Sequence, residues 1–311
     1  MTSAKPLPLL GGAGALAAVG TAAAAHVWAR HIEINLFEIR ALDLHVLPSG
    51  AQPIRVLHMS DAHLLPEQTK KREFLRSLAS LEPDLVVNTG DNVASEGAID
   101  AIARDIAPLL ERPGVVALGS NDKYAAGKRN IFRYLLRDPR PKNFRDGVQN
   151  EPLEVGRLVA KLTAGEWTNV SNARTLIELP GCDIEVVGVD DPHLEHDEFP
   201  PVDSACAART TRPSFKIGVT HAPYRRVLDQ FVDDGCDLIF AGHTHGGQLA
   251  LPYFGAIVTN CDLHRSQAKG LSFHRGVPLH VSGGIGASPF YNMRFANRPE
   301  VTLLTLKPRL T

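Results

Sequence analysis

Ile54-Arg55-Val56-Leu57-His58-Met59-Ser60-Asp61-Ala62-His63 begins as a short apolar run and ends in a carboxylate and an imidazole two positions apart. A run this short and this apolar suits a strand covered on both faces rather than an amphipathic helix. His58 alternates with Val56 along the run and is expected in the core. Asp61 and His63 fall where the chain leaves the strand. Carboxyl ends of strands are where open α/β sheets gather their ligands.

The same grammar recurs further along the chain. Leu85–Asn88 is followed by Gly90-Asp91-Asn92, and Val115–Leu118 by Gly119-Ser120-Asn121-Asp122. Phe215–Thr220 leads into His221-Ala222-Pro223, and Leu238–Ala241 into Gly242-His243-Thr244-His245-Gly246-Gly247. Further apolar runs are Ile184–Val189, Val277–Val281 and Val301–Leu306, while Glu33–Leu47 reads as extended. Helical spacing appears between strands, with Phe74, Leu75, Leu78 and Leu81 inside Glu67–Leu81, and again over Ala98–Leu110. Strands alternating with helices predict a layered α/β domain. A chain of 311 residues favours one large domain with an appendage over two equal ones.

Five strand ends would thus bring together three carboxylates (Asp61, Asp91, Asp122), the carboxamide of Asn121, and four imidazoles (His63, His221, His243, His245). Any one fragment is weak, since an isolated histidine is usually structural. Five in order, each at a strand end, point to a site for two divalent transition ions. Mixed imidazole and carboxylate favour Mn, Fe or Zn over Mg or Ca, and no thiolate takes part.

This order resembles the calcineurin-like metallophosphoesterase family, whose pattern runs D-x-H, G-D, G-N-H-D/E, H, G-H-x-H, over Ile54 to Leu306. It is closest to the membrane-associated bacterial branch, on Gly188-Val189-Asp190-Asp191-Pro192, the run ending at Gln248, and a late Arg294, Pro299, Glu300 pattern. The resemblance implies a four-layer αββα sandwich. It assigns Asp61, His63, Asp91 and His245 to one metal and Asp91, Asn121, His221 and His243 to the other, with Asp91 bridging. It further implies hydrolysis of a phosphodiester or phosphoanhydride by a hydroxide shared between the metals, on a phosphorylated substrate that is lipid-linked or nucleotide-linked. UDP-diacylglucosamine, which some relatives cleave, is one such substrate. A general phosphomonoesterase or phosphodiesterase is the alternative, and a non-catalytic metal-binding scaffold a more distant one.

One position departs from the family. Histidine usually follows the ligand asparagine and stands near the leaving group, but here Asp122 occupies that place. Asp122 is therefore the catalytic position in question, with His193 and His196 as other acids within reach of a loop. Arg294 is expected to contact substrate phosphate. Asp190 and Asp191 are expected to orient a ligand histidine.

The amino terminus differs in kind. Leu7 to Ala29 carries no charge and is rich in Ala and Gly, about the length of a membrane-spanning helix. Residues 1–32 are expected to form a membrane anchor or signal segment, Thr21 to Ala25 offering small residues for cleavage, and residues 33–311 the phosphoesterase domain. Lys5 ahead of the stretch leans toward an extracytoplasmic catalytic domain, membrane-associated by one N-terminal pass. Residues 123–150 form a basic insertion, with eight Lys or Arg from Lys123 to Arg145 against Asp138 alone. It reads equally as a solvated face or as an anion-attracting wall. Net charge is −1, so no nucleic-acid partner is expected. Cys182, Cys206, Cys236 and Cys261 lie far apart and form no C-x-x-C pair, which argues against a structural zinc site.

Overall fold

The computed structural model describes residues 10–125, 151–202, 214–251, 254–288 and 291–310. Two six-stranded mixed sheets form its centre. The first runs β1 (Glu38–Leu47), β14 (Glu300–Pro308), β2 (Ile54–Met59), β3 (Leu85–Asn88), β4 (Gly114–Val116) and β5 (Trp167–Asn169). The second runs β12 (Gly270–His274), β13 (Val277–Val281), β9 (Leu238–Ala241), β8 (Ser214–Thr220), β7 (Cys182–Gly188) and β6 (Ala173–Leu179). A two-stranded ribbon, β10 (Ala250–Leu251) with β11 (Gly255–Ala256), stands apart.

Side-chain alternation along each strand sorts the apolar residues into three cores. Ile54 and Val56 of β2 meet Ile184, Val186, Ile217, Val219 and Phe240 between the sheets. Leu57 and Met59, one residue out of phase, face the opposite way. There they pack on α2 (Thr69–Ser77), α3 (Ile99–Asp105) and α5 (Val155–Leu162), through Leu75, Ile99, Ile102, Leu158 and Leu162. Val187, Ile239 and Leu279 turn to the outer face of the second sheet, against Val227, Leu228 and Phe231 of α6 (Arg225–Asp233). The layers are therefore helix, sheet, sheet, helix. Because central strands are covered on both faces, their sequences read as unbroken apolar runs, and β2, β3, β9 and β13 match the predicted runs in full.

The predicted helix over Ala98–Leu110 is broken. It divides into α3 and α4 (Ala107–Leu110) at Ile106, whose φ of −107° and ψ of 11° leave the helical region. Pro108 in the first turn of α4 has no N–H to continue the preceding ladder.

The expected membrane span is not found among the described residues. Helix α1 (Leu10–Val27) begins at the first described residue. Among the described residues no helix is long and apolar enough to cross a membrane. Alanine and glycine supply length without much apolar surface. Residues 1–9 of the expected stretch lie outside the described residues. The segment just after α1 docks on the body of the protein: Arg294 N–H donates to Ala29 O at 3.0 Å, and Asn297 N–H to Glu33 Oε1 at 2.7 Å. Most of the basic insertion, residues 126–150, also lies outside the described residues, while Lys123 at its start pairs with Asp190 at 2.5 Å.

Candidate metal centre

Strands β2, β3 and β4 run parallel, as do β7, β8 and β9, so the loops leaving each group emerge on one edge of its sheet. Those loops bend sharply. Asp61, His63, Asp91, His243 and His245 all have positive φ, between 39° and 69°. Each such conformation costs a non-glycine residue about 1–3 kcal/mol, and such costs concentrate where function requires them. Hydrogen bonds between loops hold the bends: Asp61 N–H donates to Gly90 O at 2.8 Å and His63 N–H to Asp91 O at 2.9 Å. Gly119 must be glycine, because a Cβ there would lie 2.8 Å from the His221 ring and against Asp91.

Two clusters of ligand atoms result, one of Asp61, His63 and His245, the other of Asp61, Asp91 and His221, each with its atoms within 4.8 Å. Asp91 Oδ2 lies 3.4 Å from His63 Nε2 and 3.4 Å from His221 Nε2. His245 Nε2 lies 3.4 Å from Asp61 Oδ1. The imidazole nitrogens face one another: His63 Nε2 and His245 Nε2 at 3.1 Å, His243 Nδ1 and His221 Nε2 at 3.3 Å. His221 donates from Nδ1 to Thr89 O at 2.7 Å, and His243 from Nε2 to Asn260 O at 3.2 Å. Those bonds leave the inward nitrogen of each as the one that can ligate an ion, already a lone pair on His243 and freed on His221 when an ion takes the place of its proton. Asn121 donates from its backbone N–H and from its carboxamide to Asp91, both at 2.7 Å, leaving its side-chain oxygen uncommitted by these bonds.

These residues fit a metal centre. Donor atoms bound to one ion at about 2.1 Å, with angles of roughly 90–110°, stand about 3.0–3.4 Å apart, which is the spacing seen here. Asp61 Oδ1 is buried and accepts no hydrogen bond. A buried carboxylate oxygen with no donor is costly, and a cation removes the cost. Burial holds His63 at about pKa 4 and His243 at about 3, and pushes His245 well below its ordinary value. All three are therefore neutral ligands at pH 7. Burial opposes charge on His221 too, but Asp91, Asp61 and Asp191 outweigh it and hold its pKa well above the usual range. A proton stands there in place of the positive charge an ion would bring.

Two expected site residues occupy other places. Asp122 is fully buried, and burial, reinforced by the Asp91 charge, raises its pKa to about 6. Its carboxylate accepts from the backbone N–H groups of Asp91 at 2.8 Å, Asn92 at 2.7 Å and Gly119 at 3.0 Å. Arg294 is also fully buried, donating to Gly283 O at 2.7 Å, Gly284 O at 3.0 Å and Gly286 O, with Nη2 3.4 Å from His245 Nδ1. It braces a loop beneath the candidate ligands. Neither Asp190 nor Asp191 is hydrogen-bonded to a ligand histidine in the observed contacts. Asp190 takes Lys123, and Asp191 Oδ1 accepts from His193 N–H at 2.9 Å. His193 lies with its ring 4.6 Å from that of His243 and Nδ1 3.0 Å from Tyr224 Oη, whereas His196 stays beside Lys123.

Lys71 had no motif to mark it. Buried beneath the first loop, it donates to Ala62 O at 2.7 Å and to His63 O at 3.4 Å, and burial lowers its pKa to about 7.

Five loops from two facing sheets, converging on neutral imidazoles and carboxylates, define a metallophosphoesterase centre. Residues 54–247 match the calcineurin-like phosphoesterase family, and the chain belongs to it. It is similar to the uncharacterized metallophosphoesterase YkuE of Bacillus subtilis, at 26% identity over 94% of each chain. It is also similar to the UDP-2,3-diacylglucosamine pyrophosphatase LpxG of Chlamydia trachomatis, at 27% identity over 89% of this chain and 92% of that one. The phosphodiesterase YaeI of Escherichia coli is 24% identical over 89% and 90%.

Proposed function

We propose that the chain is a dinuclear phosphoesterase that cleaves phosphodiesters or phosphoanhydrides. The observation that carries this reading is Asp91 Oδ2, set 3.4 Å from an imidazole nitrogen on either side, His63 in one cluster and His221 in the other. Asp61, His63, Asp91 and His245 would hold one ion, and Asp91, Asn121, His221 and His243 the second. Mn, Fe or Zn suits this donor set. Two such ions would supply charge neutralisation for a phosphoryl group and an activated water at neutral pH.

The chain's own residues do the rest. Thr89 O and Asn260 O hold the outer N–H of His221 and His243, so that the inward nitrogens are the ones presented for coordination. Asp122 ties the Asp91 loop to the Asn121 loop and so sets the spacing of their side chains. Leaving-group protonation then falls to His193, whose Nδ1 is held by Tyr224 and whose ring adjoins His243. Without histidine directly after Asn121, substrates whose leaving groups need little protonation are favoured, phosphoanhydrides and activated diesters above all. Similarity to LpxG supports a nucleotide-linked lipid such as UDP-2,3-diacylglucosamine as the substrate class.

The test is kcat/KM of the Mn-loaded protein on UDP-2,3-diacylglucosamine, bis-p-nitrophenyl phosphate and p-nitrophenyl phosphate. Anhydride or diester turnover well above monoester turnover is expected. Faster monoester cleavage would favour the phosphomonoesterase alternative, and no turnover of any of the three, with two ions bound, would point to a scaffold.

A further inference from the structure

Behind the ligands, a file of polar groups crosses the apolar space between the sheets. His58 on β2 and His280 on β13 belong to opposite sheets and are 222 positions apart, yet their Nδ1 atoms lie 2.7 Å from each other. His58 Nε2 lies 3.1 Å from Thr89 Oγ1. Thr89 donates to Ser60 Oγ at 2.7 Å, and Ser60 donates to Asp61 Oδ2 at 2.6 Å. All five side chains are buried.

The end of the file sets its direction. An ionised carboxylate only accepts, so Ser60 must donate to Asp61. Ser60 therefore accepts from Thr89. Thr89, having spent its proton on Ser60, accepts from His58 Nε2–H. His58 Nδ1 is then a lone pair and accepts from His280 Nδ1–H. Every donor points toward Asp61, and dipoles aligned in one direction strengthen one another.

We propose that His280, His58, Thr89 and Ser60 form a positioning relay for Asp61, a role that rests on the metal reading given above. The relay and the His243 backbone N–H, at 3.0 Å, both occupy Oδ2. The carboxylate is thereby turned so that Oδ1, which accepts no hydrogen bond, faces His63 and His245. Space has been kept for the file: a Cβ on Gly242 would collide with Ser60 Oγ and lie 2.7 Å from Asp61 Oδ2 and 2.9 Å from Thr89 Oγ1. A purely apolar sandwich interior would need no polar residue at positions 58, 89 or 280. The relay makes the grip on the ion a property of both sheets rather than of one loop.

Thr89→Val keeps the side-chain shape and removes the hydroxyl, while Thr89→Ser keeps the hydroxyl. His58→Phe and His58→Gln form a second pair, since the glutamine amide can still donate toward Thr89. Mn(II) affinity of the full chain is measured by competition with a chelator, alongside the melting temperature of the metal-free protein. Loss of an outer hydrogen-bond partner typically weakens metal binding about 10–100-fold. Thr89→Val and His58→Phe are expected to fall in that range, with Thr89→Ser and His58→Gln close to wild type. Wild-type Mn(II) affinity in Thr89→Val, whatever its melting temperature, would overturn the relay alone. Equal weakening in Thr89→Val and Thr89→Ser would also overturn it, because the hydroxyl would then be irrelevant. A wild-type protein that takes up no Mn(II) would overturn the metal reading and the relay together.

Discussion

Asp122→Ala separates a structural carboxylate from a chemical one. In the folded protein the carboxylate satisfies three buried backbone N–H groups, those of Asp91, Asn92 and Gly119. Alanine leaves all three without an acceptor. Each stranded donor costs about 1–3 kcal/mol. Part of that is returned, because burial already penalises this carboxylate enough to raise its pKa to about 6. Taking the low end for each donor gives a destabilisation of about 3 kcal/mol. At about 2–4 °C per kcal/mol for chains of this general size, the melting temperature should fall by about 6–12 °C. The assay is thermal unfolding by circular dichroism in the presence of a chelator, so that metal binding cannot mask the loss. Asp122→Asn, which keeps one acceptor oxygen, should fall between the alanine variant and wild type. An Asp122→Ala protein that melts like wild type when metal-free, yet has lost the turnover that Mn-loaded wild type shows, would refute the clasp and return Asp122 to the chemistry.

Elemental analysis of active protein should find two ions per chain, and Asp91→Ala should lose turnover along with most of both, since its Oδ2 stands between the two histidine groups. One ion in fully active wild type would exclude a dinuclear centre. His193→Gln should slow alkyl leaving groups more than p-nitrophenolate, by up to about 10²–10⁴-fold for the poorest, read as the slope of kcat/KM against leaving-group pKa. An unchanged slope would remove His193 from proton transfer. The His58–His280 pair should also leave a mark on acid stability. Burial holds His280 at about pKa 3 and His58 well below its ordinary 6.5, so the unfolded chain binds protons the folded one refuses. Their contribution is complete above pH 6.5 and is lost as pH falls from there toward about 3. Metal-free wild type should therefore lose urea stability, relative to a His58→Leu, His280→Leu double variant, between pH 6.5 and 4; parallel profiles would contradict this.

The parts of the fold legible in sequence were those whose burial is uniform. β2, β3, β9 and β13 are covered on both faces and announce themselves as apolar runs, with site residues directly after three of them. Edge strand β6 went unseen because most of its side chains are only partly covered and its sequence, Ala-Arg-Thr-Leu-Ile-Glu-Leu, mixes polar and apolar types. Candidate ligand types were legible because coordination demands particular atoms. Their left-handed backbones were not, since Asp61 or His243 looks the same in sequence whatever its φ. For Asp122 and Arg294 the sequence withheld the same thing. Charge in a motif suggests contact with substrate, while the backbone N–H and C=O groups that would satisfy the same charge leave no trace in the sequence. His58 was expected in the core and is there, but its partner His280 belongs to a strand 222 positions away, and only the fold brings the two together.

Strand β14 lies between β1 and β2, parallel to the first and antiparallel to the second. Glu38 therefore pairs with Glu300, a separation of 300 − 38 = 262 residues. Until β14 arrives, β1 has no neighbour in the sheet and β2 lacks one flank. The segment leading into β14 also pins the first ligand loop, through Ile285 N–H to Ser60 O and Gly286 N–H to Asp61 O. Contacts so distant in sequence form late, because a long chain must close before any of them is gained. The first candidate ligand loop is thus pinned by contacts that the chain supplies about 220 residues later, so its shape depends on the far end of the sequence as much as on its own.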